Sequence, residues 1–169
     1  MTFLTERRRN GGIDEVPLPA GSAGRLWLCG KHYIGPDPDA VLSHTGAGAV
    51  VCLNEGYELS SRFPHYVEWL RANAGGRALW RPWPDMHAPP VEEFAEFVEE
   101  LRTRIAGGGL VVHCGAGMGR AGTTAAAVLM AHGVALDDAL RIVRAARPAA
   151  GPQTGEQDAL LAGYARLLG

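Results

Sequence analysis

The chain has 169 residues, which is typical of one domain, and its 47% apolar and 20% charged residues are ordinary for a globular protein. The net charge of −2 argues against nucleic acid as a partner, because binding nucleic acid needs a strongly basic surface. The 3 cysteines are an odd number and show no spacing typical of a disulfide scaffold or a metal site. The sequence contains no apolar run long enough to predict a membrane helix. We expect a cytoplasmic monomer without metal, cofactor or membrane partner.

The first 20 residues are polar and are interrupted by Pro17 and Pro19. We expect residues 1–20 to form an N-terminal arm, mobile or loosely packed, and residues 21–169 to form a single domain. Short apolar runs after the arm predict strands at residues 25–29, 49–53 and 79–81.

The second half of the chain predicts helices around one central strand. Apolar residues recur at helical spacing over residues 91–105, with glutamates on the opposite side, and three glycines then precede an apolar strand. Further helices are predicted to end near His132 and to cover residues 136–146 and 155–168. Strands that alternate with helices indicate an α/β fold of three layers, in which a mostly parallel sheet of about four to five strands has helices on both faces.

The most informative stretch follows the central strand, where five residues separate Cys114 from Arg120. The five are small or unbranched: Gly115, Ala116, Gly117, Met118 and Gly119. Such residues between a strand and a helix allow several backbone N–H groups to converge on an anion, and the same groups favour a thiolate. The planar guanidinium of Arg120 suits two phosphate oxygens. This anion loop (residues 114–120) therefore predicts covalent phosphate chemistry on Cys114.

Three other interpretations of the anion loop are open at this point. A cysteine after an apolar strand is often an inert core residue. The spacing Gly117-x-Gly119-x-x-Gly122 also matches a dinucleotide-binding turn, which requires a second strand ending in an acid about 20 residues later. Residues 136–144 have helical spacing instead, which disfavours that turn. A Walker loop is disfavoured because Thr123 stands where that motif has lysine.

The anion loop resembles the active-site loop of the cysteine-dependent protein phosphatases, the His-Cys-x5-Arg family. Two further stretches match that family in the expected order. Trp83-Pro84-Asp85 resembles its general-acid loop, and Arg144-x-x-Arg147-Pro148 with Gln153-Thr154-x-x-Gln157 resembles its arginine-proline and glutamine elements. The resemblance covers about residues 25–168 and is to the small, dual-specificity-like branch of the tyrosine phosphatase superfamily. It implies the three-layer fold of those phosphatases.

The resemblance also implies a mechanism. Cys114 would attack phosphorus and form a phosphocysteine, while Arg120 and the loop N–H groups hold the phosphate oxygens. Asp85 would protonate the departing oxygen and then assist the attack of water. On its own, however, Asp85 after a proline is more typical of a turn.

Three supporting residues follow from the same resemblance. Gln157 and Gln153 would position the hydrolytic water. His113 would hydrogen-bond the backbone of the anion loop and orient the cysteine, a role that differs little from that of a hydrogen-bonded core histidine.

The variable positions of the anion loop bear on the substrate. The variable loop positions Gly115, Ala116 and Met118 carry no charge, whereas lipid phosphatases of the resembled family have lysines there, so a polyphosphoinositide is disfavoured. No separate tyrosine-recognition loop of the larger tyrosine phosphatases is present, which suggests a shallow pocket. We expect a phosphoprotein substrate carrying phosphotyrosine, and phosphoserine or phosphothreonine as further candidates. The alternatives are a phosphatase of a small phosphorylated metabolite, a catalytically weak phosphate-binding protein, and sulfur transfer.

One position departs from the family pattern. The family has serine or threonine directly after the arginine, and its hydroxyl stabilises the cysteine thiolate as it leaves the phosphoenzyme. This chain has Ala121 there, and Thr123 lies two residues further on. We therefore expect slow hydrolysis of the phosphocysteine.

Overall fold

The computed structural model describes residues 3–169, with side chains from residue 6 onward, and its strands form one five-stranded sheet. The strands are β1 Ile13–Val16, β2 Leu26–Gly30, β3 Ala47–Cys52, β4 Ala78–Trp80 and β5 Gly109–Cys114. Their order across the sheet is β1-β2-β5-β3-β4. Strands β2 to β5 run parallel and β1 runs antiparallel to β2. The predicted, mostly parallel sheet is confirmed.

Helices cover both faces of the sheet. The helices are α1 Phe3–Asn10, α2 Lys31–Ile34, α3 Pro38–Thr45, α4 Tyr57–Ser60, α5 Pro64–Ala72, α6 Val91–Ala106, α7 Gly119–Ala131, α8 Leu136–Ala146 and α9 Gly155–Leu168. One core lies between the sheet and α6–α9, and a second lies between the sheet and α2–α5. Successive residues of β5 enter opposite cores, as Val111 and Val112 show. The central strand is apolar at residues 110–112 because both of its faces are buried.

The N-terminal arm is more ordered than the sequence predicts. Strand β1 lies within it and pairs with β2, from Ile13 opposite Cys29 to Val16 opposite Leu26. The prediction of a mobile or loosely packed arm is therefore wrong for residues 13–16, while residues 1 and 2 lie outside the described residues. The strand escaped prediction because it is short and carries two adjacent acids, so it lacks a clear alternation of apolar and polar residues.

Helices α3 and α5 were also not predicted, although both begin with recognisable signals. The Asp37 side chain accepts a hydrogen bond from the Ala40 N–H, and Pro38 occupies the first turn of α3. Helix α3 ends at Gly46, whose φ of 72° suits glycine. Pro64 similarly begins α5.

The fold places the carboxyl ends of the parallel strands at one edge of the sheet, where the anion loop joins β5 to α7. Ligand sites in open parallel sheets lie at this edge. Residues 136–146 form helix α8 and not a strand, which excludes the dinucleotide-binding interpretation. Among residues 3–169, no helix combines the length and apolar character that crossing a membrane requires. Nor does the described part of the chain contain a cluster of three or more metal-ligating acids, histidines or cysteines.

Candidate active site

The anion loop is pressed against the end of the neighbouring strand β2. A Cβ atom at Gly117 would lie 2.4 Å from the carbonyl oxygen of Cys29, and the φ of Gly117 is 74°. Both facts require glycine at this position, because other residues would clash and be strained. The Lys31 N–H, at the start of α2, donates to the Gly115 carbonyl at 3.0 Å and fixes the loop from the same side.

Four backbone N–H groups of the anion loop lack an acceptor in the part of the chain that the structure describes. Within the described residues, the N–H groups of residues 115–118 donate to neither backbone nor side chain. The Met118 carbonyl, by contrast, accepts from Gly122 at 2.9 Å and from Gly151 at 3.0 Å. Helix α7 begins at Gly119, so the positive end of its dipole and the unpaired N–H groups both attract an anion. The arrangement has the features of an anion-binding site at a helix N-terminus.

Cys114 lies at the base of this loop with 3% of its surface exposed. All three cysteines are free, and the other two have no exposed surface. Burial raises the pKa of Cys52 to about 12 and also raises the pKa of Cys29. Since a protonated thiol is a poor nucleophile, neither Cys29 nor Cys52 suits covalent chemistry, whereas Cys114 begins the anion loop.

Arg120 forms a two-pronged ion pair with Glu58 of α4, a residue that the sequence did not single out. The two hydrogen bonds are 2.8 Å from Nη1 to Oε2 and 2.7 Å from Nη2 to Oε1, and the Arg120 side chain is 1% exposed. Burial opposes the charge of Glu58, but hydrogen bonds from Arg120 and the Glu55 N–H outweigh it and keep the pKa of Glu58 below its ordinary value. The pair therefore fixes the guanidinium plane at neutral pH.

A usable signal for Glu58 was present in the sequence. An arginine at the floor of an α/β site needs a carboxylate partner, and Glu55 and Glu58 are the acids that follow β3 at the same edge of the sheet. Their spacing alone did not indicate which of them reaches Arg120.

The remaining donors of Arg120 define where an anion would bind. Nη1 also donates to the Trp83 carbonyl at 2.9 Å and to the Leu53 carbonyl at 3.3 Å. Nε is buried and has no partner among the described residues. A buried, charged donor without an acceptor is costly, so Nε is suited to bind an oxygen of a phosphate.

The acid loop (residues 81–90) places Asp85 beside Arg120. The Asp85 carboxylate lies 3.5 Å from Nη2 of Arg120 and is 63% exposed. It also accepts a hydrogen bond from the Met86 N–H, and Met86 has a left-handed φ of 66°. Asp85 is therefore both a turn residue, as a proline before it suggests, and a neighbour of the proposed phosphate site.

Gln157 connects the acid loop to helix α9. Its Nε2 donates to the His87 carbonyl at 3.2 Å, and its Oε1 accepts from the Gln153 N–H at 2.8 Å. The Nε2 of Gln153 donates to the Ala149 carbonyl at 2.9 Å. A Cβ atom at Gly119 would lie 2.8 Å from Cγ of Gln153, so glycine allows the glutamines to approach the first turn of α7.

His113 is fully buried between the loop and α5. Its Nδ1 lies 3.3 Å from the Cys114 carbonyl, and its Nε2 lies 2.5 Å from the hydroxyl of Tyr66. Because a carbonyl only accepts, Nδ1 carries the hydrogen and Nε2 accepts from Tyr66. Burial lowers the pKa of His113 to about 4, so the ring is neutral at physiological pH. The Tyr66 contact was not predicted.

The sequence matches a family model, and the fold matches solved structures. A family model described as "PTP-SAK: Swiss Army Knife protein, DSP-PTPase phosphatase domain" matches residues 36–158. No curated protein matches the sequence. The crystal structure of Tk-PTP in the active form is 31% identical with a TM-score of 0.68, over 86% of this chain and 92% of that one.

Two less similar structures share the fold. The kinase associated phosphatase, solved with its catalytic-site cysteine replaced by serine, has 22% identity and a TM-score of 0.75, over 93% of this chain and 96% of that one. PTPMT1, solved in complex with PI(5)P, has 21% identity and a TM-score of 0.65, over 85% and 91% of the two chains. The fold is thus that of the dual-specificity and tyrosine phosphatases, and the chain belongs to the family of DSP-PTPase phosphatase domains that the PTP-SAK model describes.

Proposed function

We propose that this protein is a cysteine-dependent phosphatase that hydrolyses aryl phosphate monoesters, with protein phosphotyrosine as the principal substrate class. One observation carries the proposal. Among the described residues, the N–H groups of residues 115–118 and the Nε of Arg120 have no acceptor, and all of them belong to the loop that begins at Cys114. These donors match the oxygens of a phosphoryl group that reacts with the thiolate.

The reaction proceeds in two steps. The Cys114 thiolate forms an S–P bond while the bond from phosphorus to the leaving oxygen breaks, and that oxygen takes a proton from Asp85. Water then attacks the phosphocysteine, gives a proton to the Asp85 carboxylate, and the S–P bond breaks to restore the thiolate. Asp85 lies 3.5 Å from Arg120, which is close enough to serve a substrate held by that arginine.

Two exposed apolar side chains support an aromatic leaving group. Tyr57 precedes Glu58, the partner of Arg120, and Met86 follows Asp85, and both side chains are largely exposed. Both side chains adjoin residues that contact Arg120, so apolar surface lies near the place where an aromatic group would leave. The uncharged loop positions Gly115 and Ala116 offer nothing to further phosphates, so the proposal does not extend to the phosphoinositide seen with PTPMT1.

The function is tested with para-nitrophenyl phosphate, phenyl phosphate and matched phosphotyrosine and phosphoserine peptides. The wild type should hydrolyse the aryl esters and the phosphotyrosine peptide. Asp85→Asn should lower kcat about 100-fold for phenyl phosphate, whose leaving group needs a proton, and much less for para-nitrophenyl phosphate. Asp137→Asn, at an exposed position of α8, is the matched control. No turnover by the wild type, or equal rates for Asp85→Asn and the control, would refute the proposal.

Ala121 predicts a slow second step. Its side chain is fully buried in the same hydrophobic core as Cys114, and it supplies no hydroxyl for the departing thiolate. Ala121→Ser should therefore raise kcat up to about 10-fold, the effect of one hydrogen bond to a charged group. Stopped-flow measurements should show a burst of nitrophenol in the wild type that diminishes in Ala121→Ser.

The control for this substitution is Ala125→Ser, one turn further along α7, which also adds a buried hydroxyl. It should leave kcat unchanged. The absence of a burst in the wild type together with no gain in Ala121→Ser would show that breakdown of the phosphocysteine is not slow.

A further inference from the structure

A second buried arginine holds the anion loop from behind. Arg147 follows α8, and its side chain is 1% exposed. Its Nη2 donates to the Ala116 carbonyl at 2.9 Å, and its Nε donates to the Gly117 carbonyl at 3.1 Å. One guanidinium thus bonds two successive peptide groups of the loop.

These two bonds fix the direction of two loop N–H groups. In a planar trans peptide, the carbonyl of one residue and the N–H of the next point in opposite directions. Because the Ala116 carbonyl is held toward Arg147, the Gly117 N–H points away from Arg147. The bond to the Gly117 carbonyl turns the Met118 N–H away from Arg147 in the same manner. Both N–H groups are among those that have no acceptor within residues 3–169 as described.

The other side of Arg147 is held by the N-terminal arm. Its Nη1 donates to the Asp14 carboxylate at 2.8 Å, to the Gly11 carbonyl at 3.2 Å and to the Gly12 carbonyl at 3.3 Å. Asp14 is the carboxylate within ion-pair distance of this guanidinium, and it also binds Arg7 at 2.5 Å. Residues 11–14 precede the segment that the family model matches, which begins at residue 36.

We propose that Asp14 is a positioning residue for phosphate binding, acting on the anion loop through Arg147. The Asp14 carboxylate neutralises the guanidinium in a buried place, and residues 11–12 add two carbonyl acceptors. This inference rests on one part of the proposed function, namely that the anion loop is the phosphate site.

Loss of the Asp14 charge would loosen the loop. A buried guanidinium without a carboxylate is strongly destabilised and tends to move toward water. Arg147 would then release the Ala116 and Gly117 carbonyls. Either carbonyl turned toward the anion would replace an N–H donor with a repelling oxygen, so anion affinity should fall.

The test compares Asp14→Asn with Glu15→Gln, the matched control on the same strand. Glu15 forms an exposed ion pair with Arg25, and removing it should cost little. The probe is orthovanadate, whose affinity is measured by tryptophan fluorescence and by inhibition of turnover, under conditions where far-UV circular dichroism shows folded protein. Asp14→Asn should bind vanadate about 10-fold more weakly and lose a similar factor in kcat, the effect expected of a misplaced binding group.

The control should keep both values within about twofold of the wild type. A purely structural role for Asp14 would lower the thermal midpoint and leave the vanadate affinity of the folded protein unchanged. Equal vanadate affinities for folded Asp14→Asn and Glu15→Gln would therefore overturn the inference. A wild type that binds vanadate but hydrolyses nothing would refute the proposed function and leave this comparison intact.

A second variant covers the case in which Asp14→Asn does not fold. Arg147→Lys keeps a positive charge opposite Asp14, but an ammonium lacks the fork that reaches both loop carbonyls. It should show the same 10-fold loss of vanadate affinity. Wild-type affinity in folded Arg147→Lys would contradict the inference.

Discussion

Replacing Cys114 by serine is expected to lower turnover of para-nitrophenyl phosphate by at least about 10⁴-fold. A serine hydroxyl is almost fully protonated at neutral pH, so no comparable nucleophile remains. The loop N–H groups and Arg120 are unchanged, and inorganic phosphate should still bind with an affinity near that of the wild type. Steady-state kinetics and isothermal titration calorimetry measure the two quantities.

The matched control for this substitution is Cys52→Ser. Cys52 lies at the end of β3, and its thiol donates to the Asn54 carbonyl at 3.9 Å, a contact that serine retains in kind. Turnover should stay within a few fold of the wild type. Substantial residual activity in Cys114→Ser, above about 1% of the wild type, would mean that another group attacks phosphorus.

Arg120→Lys is expected to have the second-largest effect, a loss of about 10³-fold in kcat/KM. Lysine cannot pair with both oxygens of Glu58, bond the Trp83 carbonyl and offer a further N–H to phosphate at once. Because the missing contacts bind the phosphoryl oxygens, over which charge is spread in the transition state, most of the loss should fall on kcat rather than on KM.

Two further variants complete that experiment. Glu58→Gln should lower kcat/KM about 10- to 100-fold. The amide still accepts one hydrogen bond from Arg120, but it no longer holds both Nη1 and Nη2 of the guanidinium. Arg102→Lys, in an exposed pair with Glu99, is the matched control and should behave as the wild type. If Arg120→Lys and Arg102→Lys have the same kcat/KM, Arg120 does not bind the reacting phosphate.

The parts of the site that the sequence predicts are those formed by contiguous residues. The anion loop lies between a strand and a helix, and its glycines and its cysteine are read directly from one short stretch. Strands β2 to β5 and helices α6 to α9 are predicted in the same way, from the spacing of apolar residues within short segments. Asp85 is likewise predicted from one short segment, Trp83-Pro84-Asp85.

The parts that were missed depend on pairs distant in sequence. Glu58 and Arg120 are 62 residues apart, and Asp14 and Arg147 are 133 residues apart. Nothing in the spacing of acids along the chain determines which carboxylate meets which arginine, because that depends on the order of strands in the sheet. Strand β1 brings Asp14 beside β2 and the loop, and this edge strand was itself not predicted.

The most direct test of the phosphocysteine mechanism is a rapid-quench experiment on the wild type. The enzyme is mixed with excess para-nitrophenyl phosphate, quenched in acid within milliseconds, digested, and analysed by mass spectrometry. The mechanism predicts a phosphoryl group on the peptide that contains Cys114, with an amplitude approaching one per active site because Ala121 slows its hydrolysis. Steady turnover with no phosphorylated Cys114, or with the phosphoryl group on another residue, would contradict it.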